Sequence, residues 1–209
     1  MGPVAPNPYR LFMSLRSPFA RRVRIAMLRM GIPFEMETLN VFEPTEEFLK
    51  ANPLGLVPVL QTPRGPFLPD SAAILQYLHD HHGERIWPKD PFLKLTTQVA
   101  SVLAEGIMTA TVAYFLETER KAPSPEWLEE YSATLHRALK KLSIDDPAGP
   151  PWVIDGVLTQ AAYDLAVGLE YLDLRLPSLA WRHQYPLLTK VYDRCQVIPA
   201  IDQTRPPPA

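Results

Sequence analysis

Along the first part of the chain the hydrophobic rhythm changes from segment to segment, and beyond Pro91 it settles into a single helical period. Tyr9 to Ser14 is short, apolar and β-prone, which predicts a strand. Ser17-Pro18 then opens a stretch with apolar residues at Phe19, Val23, Ala26, Met27 and Met30. Spacings of three and four make these one face of a helix, and Arg21, Arg22, Arg24 and Arg29 on the remainder read as a solvated face. Serine followed by proline marks the helix start, and Gly31 marks its stop. Phe34 to Leu39 largely alternates apolar with polar and predicts a second strand. Glu43 to Ala51 reads as a short polar helix ended by Asn52-Pro53. Two short apolar runs follow, Val57 to Leu60 and Pro66 to Pro69, separated by the turn Thr62-Pro63-Arg64-Gly65. Asp70-Ser71 opens another helix through Ala73, Ile74, Tyr77 and Leu78 that closes near Gly83. The predicted order is β-α-β-α-β-β-α.

Trp87-Pro88-Lys89-Asp90-Pro91 reads as a linker, and no strand pattern persists after it. Helices are predicted from about Phe92 to Arg120, Pro125 to Leu142, Ala161 to Leu174 and Pro186 to Cys195, with a Pro-rich loop over Asp145 to Pro151. An α/β domain over 8–84 followed by an all-α domain over 92–209 accounts for the change of texture. The 24 prolines against 9 glycines are scattered, and read as helix starts and stiff loops instead of a low-complexity segment. With 46% hydrophobic and 21% charged residues, the 209-residue chain has material for an ordinary core. A net charge of -2 gives no excess of positive charge for nucleic acid or an anionic membrane, so neither is expected as a partner. One cysteine excludes an intrachain disulfide framework and a Cys-cluster metal site. Met1 to Arg10 carries three prolines where a signal peptide needs an apolar stretch, and a cytoplasmic location is the expectation.

A β-α-β-α-β-β-α unit with proline at the start of its third strand is the order of the thioredoxin fold. Chemistry in that fold sits where the first strand feeds the first helix, because the helix end offers free N–H groups and positive potential to a thiolate. Here the position holds Ser17-Pro18-Phe19-Ala20. A redox member needs cysteine at the first of these places, and often at the fourth, so dithiol exchange is not expected. What remains is a hydroxyl suited to donate a hydrogen bond to the thiolate of another molecule. Ser17 is equally an N-cap, worth ~1 kcal/mol of helix stability. Local sequence leaves both readings standing.

The run Asn52-Pro53-Leu54-Gly55-Leu56-Val57-Pro58-Val59-Leu60, followed by Asp70-Ser71-Ala72-Ala73-Ile74, resembles the glutathione S-transferase family. So do Arg22-Val23-Arg24-Ile25-Ala26, Glu105-Gly106-Ile107-Met108-Thr109-Ala110, Tyr171-Leu172-Asp173-Leu174-Arg175 and Arg205-Pro206-Pro207, in that order along the chain. The pattern is similar to a bacterial subgroup of the family. The resemblance implies a thioredoxin-like glutathione-binding domain joined to an all-helical one, glutathione as co-substrate, a small-molecule electrophile and a homodimer. A cis proline at Pro58 would turn the Val57 N–H and C=O outward to pair with the cysteinyl unit as an added strand. Ser71, at a helix start, would bind the γ-glutamyl carboxylate through its hydroxyl and backbone N–H, and Asp70 would meet the ammonium group. Ser17 would then hold the sulfur as thiolate, a free thiol having a pKa near ~8.5. Ser14 is the runner-up for that role, and Tyr9 reads as strand-edge packing. The implied function is a transferase that activates glutathione for attack on an electrophilic carbon, with an apolar pocket supplied by helical side chains.

Several residues depart from the family pattern or stand outside it. Leu56 occupies a place where many relatives have a polar residue, often Lys or Gln. Val41 to Glu47 carries acids and no Lys or Arg, which leaves Arg16 as the candidate partner of the glycine carboxylate. Asp164 is present, but Ala161 stands at the expected cap position, with Thr159 nearby. His79, His81 and His82 read as a solvated helix end, not a metal site, and Cys195 as a small core residue. Tyr114, Phe115 and Trp181 read as core. The competing function is a non-catalytic member of the fold that binds a protein partner, as stringent starvation protein A-like relatives do. Leu56 favours it, whereas Ser17, Val57, Pro58, Asp70 and Ser71 favour the enzyme. A glutathione-dependent reductase fails for want of a cysteine.

Overall fold

The computed structural model describes residues 8–63, 65–83, 86–144 and 152–208; Arg64 of the predicted turn and the loop predicted over Asp145 to Pro151 lie outside them. The chain divides into two units, one ending at Ile86 and including Thr204–Pro207, the other running Trp87–Gln203. Thr204–Pro207, which the sequence pattern groups with the helices, thus belongs with the first unit.

In the first unit β1 (Tyr9–Met13), α1 (Pro18–Met30), β2 (Phe34–Thr38), α2 (Glu46–Ala51), β3 (Val59–Gln61), β4 (Phe67–Pro69) and α3 (Ser71–His81) follow the predicted order. The sheet order is β2-β1-β3-β4. β1 and β2 are parallel, as a helical crossover requires, while β3 is antiparallel to β1 and β4 antiparallel to β3. Leu11, Met13, Val23, Met27, Leu60, Ile74 and Leu78 meet in one core beneath α1 and α3. Gly31 ends α1 in the left-handed region, its N–H returning to Leu28. The helix α2 starts three residues later than predicted because Thr45 caps it, accepting from Phe48 N–H.

The arginine face of α1 is a correction. Arg21, Arg22 and Arg24 are buried, not solvated. The returning tail meets two of them: Arg21 Nε donates to Thr204 Oγ1 and Arg24 donates to the Thr204 carbonyl, both at 3.3 Å. Burial, and then the neighbouring charge of Arg21, hold Arg24 below the ordinary arginine pKa. Tyr9 also differs from its reading, since β1 lies inside the sheet, with its hydroxyl 3.0 Å from His82 Nε2 and 3.4 Å from the Tyr77 hydroxyl. His79 is buried and its Nδ1 accepts from Ile86 N–H, so the histidine end of α3 is not simply solvated.

The second unit comprises α4 (Pro91–Thr118), α5 (Pro125–Leu142), β5 (Val153–Ile154), β6 (Val157–Leu158), α6 (Gln160–Arg175), α7 (Trp181–Gln184), α8 (Pro186–Gln196) and α9 (Pro199–Asp202), with a 3-10 turn at Pro177–Leu179. Prolines open α1, α4, α5, α8 and α9, which accounts for part of their abundance. The hairpin β5–β6 was not expected. Asp155-Gly156, both at positive φ, form its two-residue turn, a signal present in the sequence but flanked by strands of only two residues. Asp164, fully buried in α6, accepts from Ser101 Oγ at 2.5 Å and from Gln160 Nε2 at 2.8 Å, and Thr159 occupies the cap position without a side-chain cap bond. Cys195 is buried, its thiol directed to the Ala162 carbonyl. By length and composition α4 could cross a membrane, with a window of mean hydropathy 1.6; here it packs against α5 and α6.

Candidate functional site

The sequence places Ser17 where β1 hands over to α1, and the structure makes it the N-cap: its Oγ accepts from Ala20 N–H at 3.2 Å. Its own N–H donates to the Ser14 carbonyl at 3.0 Å, closing the turn between strand and helix. A capping hydroxyl uses a lone pair and keeps its proton, so the cap leaves Ser17 a donor. Tyr9 has the opposite character. Burial, then the hydrogen bond and charge of Tyr77, push its phenol above the ordinary value, which keeps it neutral and tied into a packed cluster.

Val57-Pro58 is the cis peptide bond. Val57 stands just ahead of β3, and among the described residues its N–H and C=O pair with nothing. The strand register shows which end of the sheet it occupies. Phe12 opposes Val59 on one side and Pro69 opposes Val59 on the other. Ser14 follows the last residue of β1, Val57 and Pro58 precede β3, and Asp70 and Ser71 follow β4. Ser14, Val57 and Ser71 therefore all lie beyond the same end of the sheet, with Ser17 one turn past Ser14.

Asp70 and Ser71 begin α3. Asp70 Oδ1 accepts from Ala72 N–H at 2.9 Å and Ala73 N–H at 3.0 Å, and the exposed carboxylate retains its second oxygen. Its backbone sits at φ 74, ψ 131, a conformation that costs a non-glycine residue of order 1–3 kcal/mol. Ser71 is buried, and its Oγ accepts from an Arg22 terminal nitrogen at 3.3 Å. Arg22, 1% exposed, was not singled out from the sequence as a site residue. The signal was there: it lies three residues after Phe19 and four before Ala26, on the edge of the apolar face. A fixed positive charge behind a serine at a helix N-terminus suits a carboxylate, and the acid beside it suits an ammonium.

Other predicted residues are placed more plainly. Leu56 and Arg16 are exposed in the loops ahead of β3 and α1. His82 bonds to Tyr9, and His79 bonds to the Ile86 backbone, so the two rings serve different partners. Trp181 is buried, while Tyr114 and Phe115 are only half-buried on α4.

Fold and cluster together define a class: a thioredoxin-like domain with serine in place of the redox cysteine, followed by a helical unit. Comparison with known proteins gives the family. Residues 11–85 match the glutathione S-transferase N-terminal domain family. A glutathione S-transferase of Methylobacterium radiotolerans, solved in complex with glutathione sulfonate, superposes with a TM-score of 0.87 at 31% identity, covering 97% of this chain and 96% of that one. An uncharacterised glutathione S-transferase-like protein of Escherichia coli is 29% identical over 208 residues, 96% of this chain and all of that protein. Mouse glutathione S-transferase omega-1 is 31% identical over 142 residues, a match spanning 68% of this chain and 57% of the mouse protein. The chain belongs to the glutathione S-transferase family.

Proposed function

We propose that the protein is a glutathione transferase, in which Ser17 stabilises the glutathione thiolate for attack on an electrophilic small molecule. The single observation that carries this reading is that Ser14, Val57 and Ser71 lie beyond the same end of the sheet, with the Ser17 hydroxyl one turn away and the Val57 amide and carbonyl unpaired among the described residues. Val57 pairs with the cysteinyl unit, Ser71 backed by Arg22 holds the γ-glutamyl carboxylate, and Asp70 faces the ammonium group. The Methylobacterium complex, with a glutathione analogue bound to a chain of the same fold, supports the choice of tripeptide. Exposed Leu56, next to Val57, offers no side-chain hydrogen bond, so a modest affinity is part of the proposal.

Calorimetric titration with glutathione tests the reading. Binding in the micromolar to low-millimolar range is expected, weakened ~10-fold by Asp70→Ala through loss of one charge-assisted contact. No heat at several millimolar would favour a non-catalytic protein that binds a protein partner.

The working form in this proposal is a homodimer. Phe92, Leu95, Val99 and Val102 on α4 are each at least half exposed and follow one another at spacings of three, four and three, a single apolar seam. A second copy of the chain covers it. Sedimentation should give twice the monomer mass, and Val99→Glu with Val102→Glu should give a monomer; a monomeric wild type removes the dimer from the proposal.

A further inference from the structure

Arg175 closes α6 with its guanidinium lying on the Phe115 ring of α4, 3.8 Å from the centroid, and 5.6 Å from the Tyr171 centroid. Its Nε is completely covered and has no hydrogen-bond partner. Among the described residues nothing accepts from its other N–H groups either, and the half-buried side chain leaves its terminal nitrogens only partly covered. Nearby acids on the same two helices are committed elsewhere. Glu117 accepts from Ser124 N–H at 2.8 Å and pairs with Arg120, and Asp173 accepts from Trp181 Nε1 at 2.9 Å and Arg182 at 2.7 Å. Arg182 makes the contrast clear. It too lies over rings, those of Trp181 and Tyr192, yet it has Asp173 as its carboxylate.

A partly buried guanidinium loses hydration and ordinarily recovers it through an acid. The ring beneath Arg175 returns some of that cost and fixes the plane of the fork. A pinned planar fork with open terminal N–H groups matches the two oxygens of a carboxylate. We infer that Arg175 is the anion-binding residue of a site in the helical unit that takes a small organic carboxylate. The site is argued within the helical unit alone and stands apart from the transferase reading.

The test uses the full chain and two unreactive probes, 3-nitrobenzoate and its uncharged analogue 3-nitrobenzamide, titrated by calorimetry. Wild type is expected to bind the benzoate ~10-fold more tightly than the benzamide, the worth of one charge-assisted contact. Arg175→Gln should abolish that preference by weakening the benzoate ~10-fold while leaving the benzamide unchanged. Arg175→Lys, which keeps charge without the fork, should retain part of the preference and serves in place of the glutamine variant if that variant does not fold. Equal affinity of wild type for the two probes, no binding of the benzoate, or equal losses for both probes in the variants would overturn the anion site.

Discussion

Ser17→Ala should lose ~100-fold in kcat/KM for glutathione conjugation while keeping most of its glutathione affinity, because a thiolate hydrogen bond is worth up to ~3 kcal/mol. The affinity survives because the tripeptide is gripped by Val57, Asp70 and Ser71, none of which the change touches. The thiol itself should titrate higher by at least ~1 unit, each unit amounting to ~1.4 kcal/mol between thiol and thiolate. The sign follows from the donor: a hydrogen bond to the charged form lowers the pKa, so its loss raises it and less thiolate is present at neutral pH. The alanine variant also loses the cap to Ala20 N–H, at a cost of ~1 kcal/mol of stability. Ser17→Asp separates the two roles, since aspartate caps as well as serine but has no proton to give and repels the thiolate. Its melting temperature should return toward wild type while its activity stays low. Ultraviolet titration of the bound thiol, conjugation of an aryl halide and thermal unfolding read the three quantities. Wild-type turnover in Ser17→Ala would move the role to Ser14 or to the amides at the start of α1.

The sequence exposed the elements that a short-range pattern specifies. Serine before proline at Ser17-Pro18 marked the start of α1, Asp70-Ser71 the start of α3, and the changes of period marked β1 through β4. Helices α4, α5, α6 and α8 fell within two residues of their predicted ends for the same reason, since capping and proline signals are local. What stayed hidden was set by distant chain. Nothing near Arg21 and Arg24 announces that Thr204 will return to cover them. Arg22 read as surface because arginine is rarely buried, although its spacing put it at the edge of the core face. Likewise Phe115 and Arg175 stand sixty residues apart, and only the packing of α4 with α6 stacks one on the other. At the candidate site the residue types were legible one by one. That they gather beyond one end of the sheet needed the strand order and register.

Arg22 is where fold and site depend on the same side chain, and its replacement should have the largest effect on stability. Arg22→Ala should cost ~3–5 kcal/mol, the range for truncating a large, fully buried side chain to alanine, with a cavity left where it ran and the Ser71 hydroxyl without its donor. Urea unfolding should show the midpoint falling with little change in slope. Arg22→Met keeps most of the volume and introduces no uncompensated charge, and the Ser71 hydroxyl can then turn to its own helix; a cost of ~1–2 kcal/mol is expected. The two variants should nevertheless weaken glutathione to a similar degree, at least ~10-fold, because both remove the positive charge behind the γ-glutamyl carboxylate. That shared loss distinguishes a charge acting on the ligand from a side chain acting on the fold. Arg22→Lys should fall between, retaining the charge without the fixed fork that reaches Ser71. If Arg22→Met folds and binds glutathione as wild type does, the buried charge serves only the junction of α1 with α3, and the carboxylate must be held by Ser71 and the helix end alone.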